Sequence, residues 1–315
     1  MIDEVSGHNT VAARSPAMRF LYVYPERTGP TGSMLDAGPI AEVAAAVEAA
    51  GFDGIAFTEH PAPGAAWLSS GGHQTLDPFV ALGAASAATT RITLLTYLTV
   101  VPYRNPLLLA KAAATLDLIS SGRAVLGAGT GYLKGEFRAL GVDMDDRNAM
   151  FDEALEVLPL HWSGEPFSFE GQHFHARDVM ARPSPERPVP LWLGGNSMQT
   201  LRRVAAGAQG WIPLFVPPEV VVTVRSPNLV TVEDLAARVV TLRELAGERA
   251  AELEIVPPYH DPSLRTPAAD ATRHRDAFDA LEAAGATGVV VNGPPSASTA
   301  ETLAFLNAFG STYLT

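Results

Sequence analysis

A (β/α)8 TIM barrel is the fold class this 315-residue sequence predicts, and three observations predict it. Apolar runs and helical patterns alternate from Met18 to the end of the chain. Three of the runs break off into polar or glycine-rich sequence: Phe57-Thr58-Glu59-His60, the stretch 94–106, and Val125 to Gly131. No Gly-x-Gly-x-x-Gly follows the first strand, which disfavours the alternative, a doubly wound open sheet. A parallel sheet carries its chemistry just past the C-terminal ends of its strands, so those breaks are where function is expected.

The elements follow in order. The first strand is 18–24. The first helix is 37–50, with Ile40, Val43, Ala44 and Val47 at helical spacing and Gly51 closing it. Strand two is 54–58. Asp77-Pro78 opens a helix over 77–88 as N-cap and first helical residue. Strand three is 91–97, and Asn105-Pro106 opens a helix over 105–119. Strand four is 123–128, followed by a helix over 148–162. The alternating segment 167–175 turns at Glu170-Gly171 and reads as an exposed hairpin. Strand five is 189–194 with a helix over 197–207, and strand six is 211–215. The Pro- and Val-rich segment 216–230 reads as an insertion or active-site loop at the C-terminal face. A helix over 231–249, strand seven at 252–256, a helix over 270–285, strand eight at 288–292 and a helix over 299–309 complete the chain. Residues 18–315 thus read as a single barrel domain, and 1–17 as a flexible leader.

Composition narrows the function. The 22 basic residues against 34 acidic ones give a net charge of −12, which repels a phosphate backbone and argues against nucleic acid as a partner. No stretch reaches the roughly 18 apolar residues of a spanning helix, so no membrane partner is expected. The first 17 residues contain no apolar core of a signal peptide. The chain has no cysteine, which removes disulfides, thiolate catalysis and Cys-based metal sites. A cytoplasmic protein fits these features.

The candidate residues sit at the strand ends. His60 brings an imidazole, a group suited to donating or accepting a proton, and the adjacent Glu59 is a carboxylate that can orient it. Satisfaction of both by loop backbone is the structural alternative. The exit of strand three, Tyr97-Leu98-Thr99 and onward to Pro106, is bulky and poor in glycine, which fits a bulge forming a pocket wall or simply a buried strand end. Thr130, Gly131 and Tyr132 close strand four, and small residues there let a flat ligand approach the backbone. Gly194, Gly195, Asn196 and Ser197 open the helix after strand five, where N–H groups and the helix dipole suit a phosphate; a capped turn with nothing bound is the alternative. His173 and His175 alternate on the hairpin without acidic or Cys partners, so no metal is expected. No Gly-x-Ser-x-Gly supports Ser-His-Asp hydrolysis.

Taken together, the segments 51–60, 76–82, 102–111, 114–123, 126–142, 151–158, 162–171 and 190–197 resemble the bacterial luciferase-like flavin- and deazaflavin-dependent oxidoreductases, most closely the branch using coenzyme F420. The likeness covers residues 18–215 and fades over 216–285. It implies a barrel with the cofactor at its C-terminal mouth and a non-proline cis peptide near Tyr97-Leu98. It further implies a ring flanked by Thr130, Gly131 and Tyr132 and a phosphate turn at Gly194 to Ser197. His60 matches the family's active-site histidine and Glu59 its acidic neighbour. The sugar-phosphate dehydrogenases of the family place an acidic residue where Tyr132 stands here. A frequent Asp-Gly-Trp is Gln209-Gly210-Trp211. The implied activity is hydride transfer between the deazaflavin C5 and a small organic substrate. The alternatives are an FMN-dependent monooxygenase and a non-catalytic flavin-binding barrel. The family likeness implies a homodimer.

Overall fold

Helical crossovers force successive strands to run parallel, and the sheet they form here closes on itself. The structure is a computed structural model that describes residues 18–215, 227 and 229–314. The expected leader and most of segment 216–230 lie outside the described residues. The strands are β1 (Arg19–Val23), β2 (Gly54–Phe57), β3 (Thr93–Thr96, continued by Thr99–Val100) and β4 (Ala124–Gly129). They continue with β5 (Leu191–Gly194), β6 (Gly210–Ile212), β7 (Glu254–Ile255 and Pro258–Tyr259) and β8 (Gly288–Asn292).

Each strand pairs in parallel with the next, and β1 pairs with β8 in the register Arg19↔Gly288 to Val23↔Asn292. The two ends of the sheet are the two pieces of β7. Glu254–Ile255 lies against β6 and Pro258–Tyr259 against β8. Val256 N donates to Trp211 O at 3.0 Å, and Val290 N donates to Pro257 O at 2.9 Å, so the break is bridged and the barrel is closed.

Side chains alternate between two cores, as period-two strands require. Leu21, Val23, Ala56, Leu95, Val125, Trp192, Ile212, Val256 and Val290 fill the barrel interior. Phe20, Tyr22, Ile55, Phe57, Leu94 and Leu126 point outward into the layer under the helices. Trp192 occupies the space beside β6: a Cβ on Gly210 would stand 2.5 Å from its ring, so a side chain there would displace the indole.

The outer helices are α1 (Ile40–Ala49), α3 (Pro78–Ala87), α4 (Pro106–Ile119), α6 (Arg147–Trp162), α7 (Met198–Gly207), α8 (Val232–Ala246), α9 (Ala271–Ala283) and α10 (Thr299–Tyr313). Asp77, Asn105 and Ser197 cap α3, α4 and α7 through side-chain oxygens. Two short helices in the loops, α2 (Ala65–Ser69) and α5 (Lys134–Ala139), were not expected, nor was an antiparallel ribbon pairing Arg27–Thr28 with His73–Gln74. The hairpin pairs Phe167–Glu170 with His175–Val179, so its turn spans 171–174 rather than Glu170-Gly171 alone. Glu153 fastens that turn by accepting from the N–H groups of Gln172, His173 and Phe174. No helix among the described residues is long and apolar enough to cross a membrane.

Candidate active site

The C-terminal ends of β2, β3, β4, β5 and β6 surround a cavity of 330 Å³. That volume is within the range of small-ligand sites. His60, Tyr97, Leu98, Thr130, Gly131, Tyr132, Gly194, Gly195, Asn196 and Ser197 all line it, together with Glu26, Glu59 and His73. A larger groove of 450 Å³ lies against Met18, Phe20 and Asp53 on the opposite rim, and none of the strand-end residues borders it. The smaller cavity is therefore where the chemistry-bearing side chains meet.

His60 is held at both ring nitrogens. Its Nδ1 lies 3.0 Å from Glu136 Oε2 and its Nε2 lies 3.2 Å from the Tyr132 hydroxyl. Its backbone N–H donates to Thr75 Oγ1 at 2.8 Å. Glu136 sits on α5 and also accepts from Tyr103 O–H at 3.0 Å and from Ala62 N–H at 3.1 Å. A carboxylate behind Nδ1 fixes the hydrogen on that nitrogen and leaves Nε2 as an acceptor on the cavity side. Burial, with Glu26 and Glu136 adding to it, raises the Tyr132 phenol to about 12, so it stays a hydroxyl.

This arrangement corrects the expectation for Glu59. Its carboxyl does not orient the ring; it accepts from Val100 N–H at 2.7 Å and pairs with Arg104. Burial raises its pKa above the ordinary carboxylate value, with Arg104 and the Val100 N–H acting the other way. The acid that does orient His60 is Glu136, far along the chain in the loop after β4. The only sequence signal for it was its place just past the strand-four glycine cluster.

The exit of β3 supplies a wall. The Tyr97–Leu98 peptide is cis. Leu98 projects over two glycines: a Cβ on Gly194 would lie 2.0 Å from Leu98 Cδ1, and one on Gly129 would lie 3.3 Å from it. The result is a smooth apolar bed flanked by backbone, which fits a planar ring. Thr99 is a second correction: it is completely buried and does not border the cavity, whereas its neighbour Val100 does.

The turn after β5 differs in detail from expectation. The Asn196 side chain is engaged as a clamp. Its Nδ2 donates to Leu214 O at 2.8 Å and to Pro227 O at 2.9 Å, and its Oδ1 accepts from Leu214 N–H at 2.8 Å. Ser197 Oγ caps α7 through Thr200 N–H at 3.1 Å. The first-turn N–H groups of Met198 and Gln199 have no carbonyl four residues back within the helix.

A second imidazole, His73, stands on the same wall and was not singled out by its sequence. Its ring centroid is 5.1 Å from that of His60, edge to face, and Trp67 packs against both at 4.8 and 5.3 Å. His73 Nε2 lies 3.2 Å from Glu26 Oε1, an ion-pair contact without hydrogen-bond alignment. Burial lowers the His73 pKa, and Glu26 opposes that. Among the described residues no cluster of three or more His, Cys, Asp or Glu is placed to hold a metal ion.

Comparison with known proteins adds three findings. A family model described as luciferase-like monooxygenase matches residues 18–278. An F420-dependent glucose-6-phosphate dehydrogenase of Beutenbergia cavernae is 34% identical over 170 residues, 52% of this chain and 49% of that protein. The chain spans about half the length of the curated relatives it matches. Among solved structures, a monooxygenase from Streptomyces bottropensis superposes with a TM-score of 0.71 at 20% identity, covering 94% of this chain and 99% of that one. An F420-dependent secondary alcohol dehydrogenase in complex with an F420–acetone adduct superposes with a TM-score of 0.70 at 17% identity, covering 94% and 98%. At those identities the likeness is one of fold.

Proposed function

Because the chain belongs to the luciferase-like monooxygenase family, we propose that it is an oxidoreductase using coenzyme F420, passing a hydride between the deazaflavin C5 and a small organic substrate. The observation that carries the reading is the placement of the His60 imidazole, oriented from behind by Glu136, on the same 330 Å³ cavity as the Leu98 bed and the α7 helix start. The named F420 relatives support a deazaflavin over other flat rings.

The bound deazaflavin supplies the two-electron hydride chemistry at its C5. The Leu98 side chain, with Gly129 and Gly194 beneath it, gives the ring an apolar bed. The backbone of Gly131 and Tyr132 would flank it, and the turn from Gly194 to Ser197 at the start of α7 would hold the cofactor's phosphate. His60 Nε2 accepts the proton released when a substrate alcohol is oxidised and returns it in the reverse direction. Glu136 holds the imidazole in the tautomer this requires, and the Tyr132 hydroxyl occupies the hydrogen-bonding position a substrate oxygen takes over. The described lining contains Glu26 and Glu59 and neither Lys nor Arg, and Glu59 is paired with Arg104 behind the wall, a setting suited to an uncharged substrate.

Titration of the purified protein with the deazaflavin and with FMN, read by fluorescence, tests the cofactor. Binding of the deazaflavin, and its turnover with a panel of alcohols and carbonyl compounds, is expected. Tight FMN binding with no deazaflavin binding reverses the assignment in favour of a reduced-flavin monooxygenase.

A further inference from the structure

Two imidazoles share this cavity, and each has its own carboxylate. His60 is backed by Glu136, with side chains 9% and 1% exposed, whereas His73 faces Glu26, with side chains 24% and 31% exposed. One pair is thus sealed, and the other is partly exposed at its side chains although His73 Nε2 itself is buried.

We propose that His73 and Glu26 form a second proton-carrying pair, so that the two imidazoles hold one positive charge between them and the outer pair exchanges it with solvent. The inference rests on the proposed role of His60 and deepens it. His73 acts through His60 and is a positioning residue.

The geometry is fixed on both sides. The ribbon pairing Thr28 with His73 and Arg27 with Gln74 ties the loop after β1 to the loop after β2, and Gly29 N–H donates to Gly72 O at 2.8 Å. Glu26 and His73 are therefore brought together by backbone pairing and not by surface chance. Trp67 is pressed flat over Gly72, where a Cβ would stand 2.4 Å from the indole, and from there it touches both imidazoles.

The charged and titratable groups facing His73 are Glu26 from the loop after β1, His60 from β2, and, behind His60, Glu136 from α5. Two cationic rings with centroids 5.1 Å apart in a partly dry cavity repel, so a charge on one imidazole disfavours a charge on the other. In the exchange His60 gives up one proton and His73 takes up one, which the Glu26 carboxylate stabilises before it is released to water. A buried base that must reset every turnover needs such an outlet.

The coupling is readable without cofactor, by 15N and 1H NMR titration of the histidine rings in the full-length, cofactor-free protein. Replacing His60 by Gln removes the competing positive charge, and the His73 midpoint is expected to rise by about one pH unit. Glu26→Gln is expected to lower it. A His73 midpoint unmoved in both variants overturns the proposal. The exchange role has its own assay. His73→Gln is expected to lose deazaflavin turnover that added free imidazole restores, whereas a loss that imidazole does not restore makes His73 structural and overturns that role. If the cofactor assignment itself is wrong, the unmodified protein shows no deazaflavin turnover, while the NMR titration still reads the coupling.

Discussion

Replacing Glu136 by Gln separates orientation of the imidazole from every other role the site has. The carboxyl receives three donors, His60 Nδ1 at 3.0 Å, the Tyr103 hydroxyl at 3.0 Å and Ala62 N–H at 3.1 Å, and it does not border the cavity. Its side chain is 1% exposed, so water does not take over a lost contact. Glutamine keeps one acceptor oxygen. If its amide nitrogen takes the Oε2 position, His60 must move its hydrogen to Nε2, and the cavity-facing atom turns from acceptor to donor. If the amide flips, an N–H meets the Ala62 N–H. One hydrogen bond to a charged group is lost either way, about 1.5–3 kcal/mol, which corresponds to about a 10- to 150-fold fall in turnover. Cofactor affinity should hold, since no cavity wall changes. Tyr103→Phe removes a single neutral donor and should cost about two- to tenfold. Stopped-flow absorbance of the deazaflavin measures turnover, and a fluorescence titration measures binding. A folded Glu136→Gln protein with undiminished turnover, or one whose loss appears wholly as weakened cofactor binding, refutes the reasoning.

Three further outcomes follow from the same geometry. His60→Ala should lower turnover by about 100-fold or more while leaving cofactor binding intact, and undiminished turnover removes His60 from the mechanism. Gly194→Ala places a Cβ 2.0 Å from Leu98 Cδ1, which drives Leu98 into the cavity. Ring binding should weaken about tenfold, with a modest fall in melting temperature, and unaltered cofactor affinity would show that Leu98 is not the bed. Glu48 gives a pH prediction away from the site. Burial disfavours its charge, but the N–H groups of Arg91, Ile92 and Thr90 outweigh that and lower its pKa from 4.5 to about 2. Its contribution is complete above pH 4.5 and fades as pH falls toward 2. Glu48→Gln should thus destabilise by about 1–2 kcal/mol at neutral pH and by much less in acid. Denaturant titrations at the two pH values check this; an equal difference at both contradicts the linkage.

The barrel was legible because a parallel sheet writes itself as apolar runs ending in polar residues; seven strands overlap their predicted runs, and of β7 only Glu254–Ile255 falls within 252–256 while Pro258–Tyr259 lies beyond it. Strand seven reads poorly because Pro257 and Pro258 lack N–H groups, and the ladder breaks there into two short pieces. The site was legible where strand ends supplied it: His60, Leu98, Gly131 and Gly194 share one rim because parallel strands end on one side. Thr99 was misread because alternation along the β3 continuation turns it into the core while Val100 faces the cavity. Glu136 and His73 were not legible. Each is defined by a partner in a different loop, and the devices that place them, a six-residue helix and a two-residue ribbon, are too short to leave a periodic signature.

The adjacency of Glu59 and His60 suggested that they act on each other, whereas the folded chain uses them in opposite directions. Glu59 ties the end of β2 to the exit of β3, through Val100 N–H and Arg104. His60 ties the same point to the loop after β4, through Glu136 and Tyr132. Leu98 and the His60 imidazole therefore hang from one dipeptide at the end of a fully buried strand. Their separation is set by β2 before any ligand arrives. Catalysis by positioning depends on that order of events, because a spacing enforced by the scaffold costs nothing when the substrate binds. It also explains why a carboxylate stands next to His60 in sequence and yet never touches its ring: the strand end has two anchors, and they point to different loops.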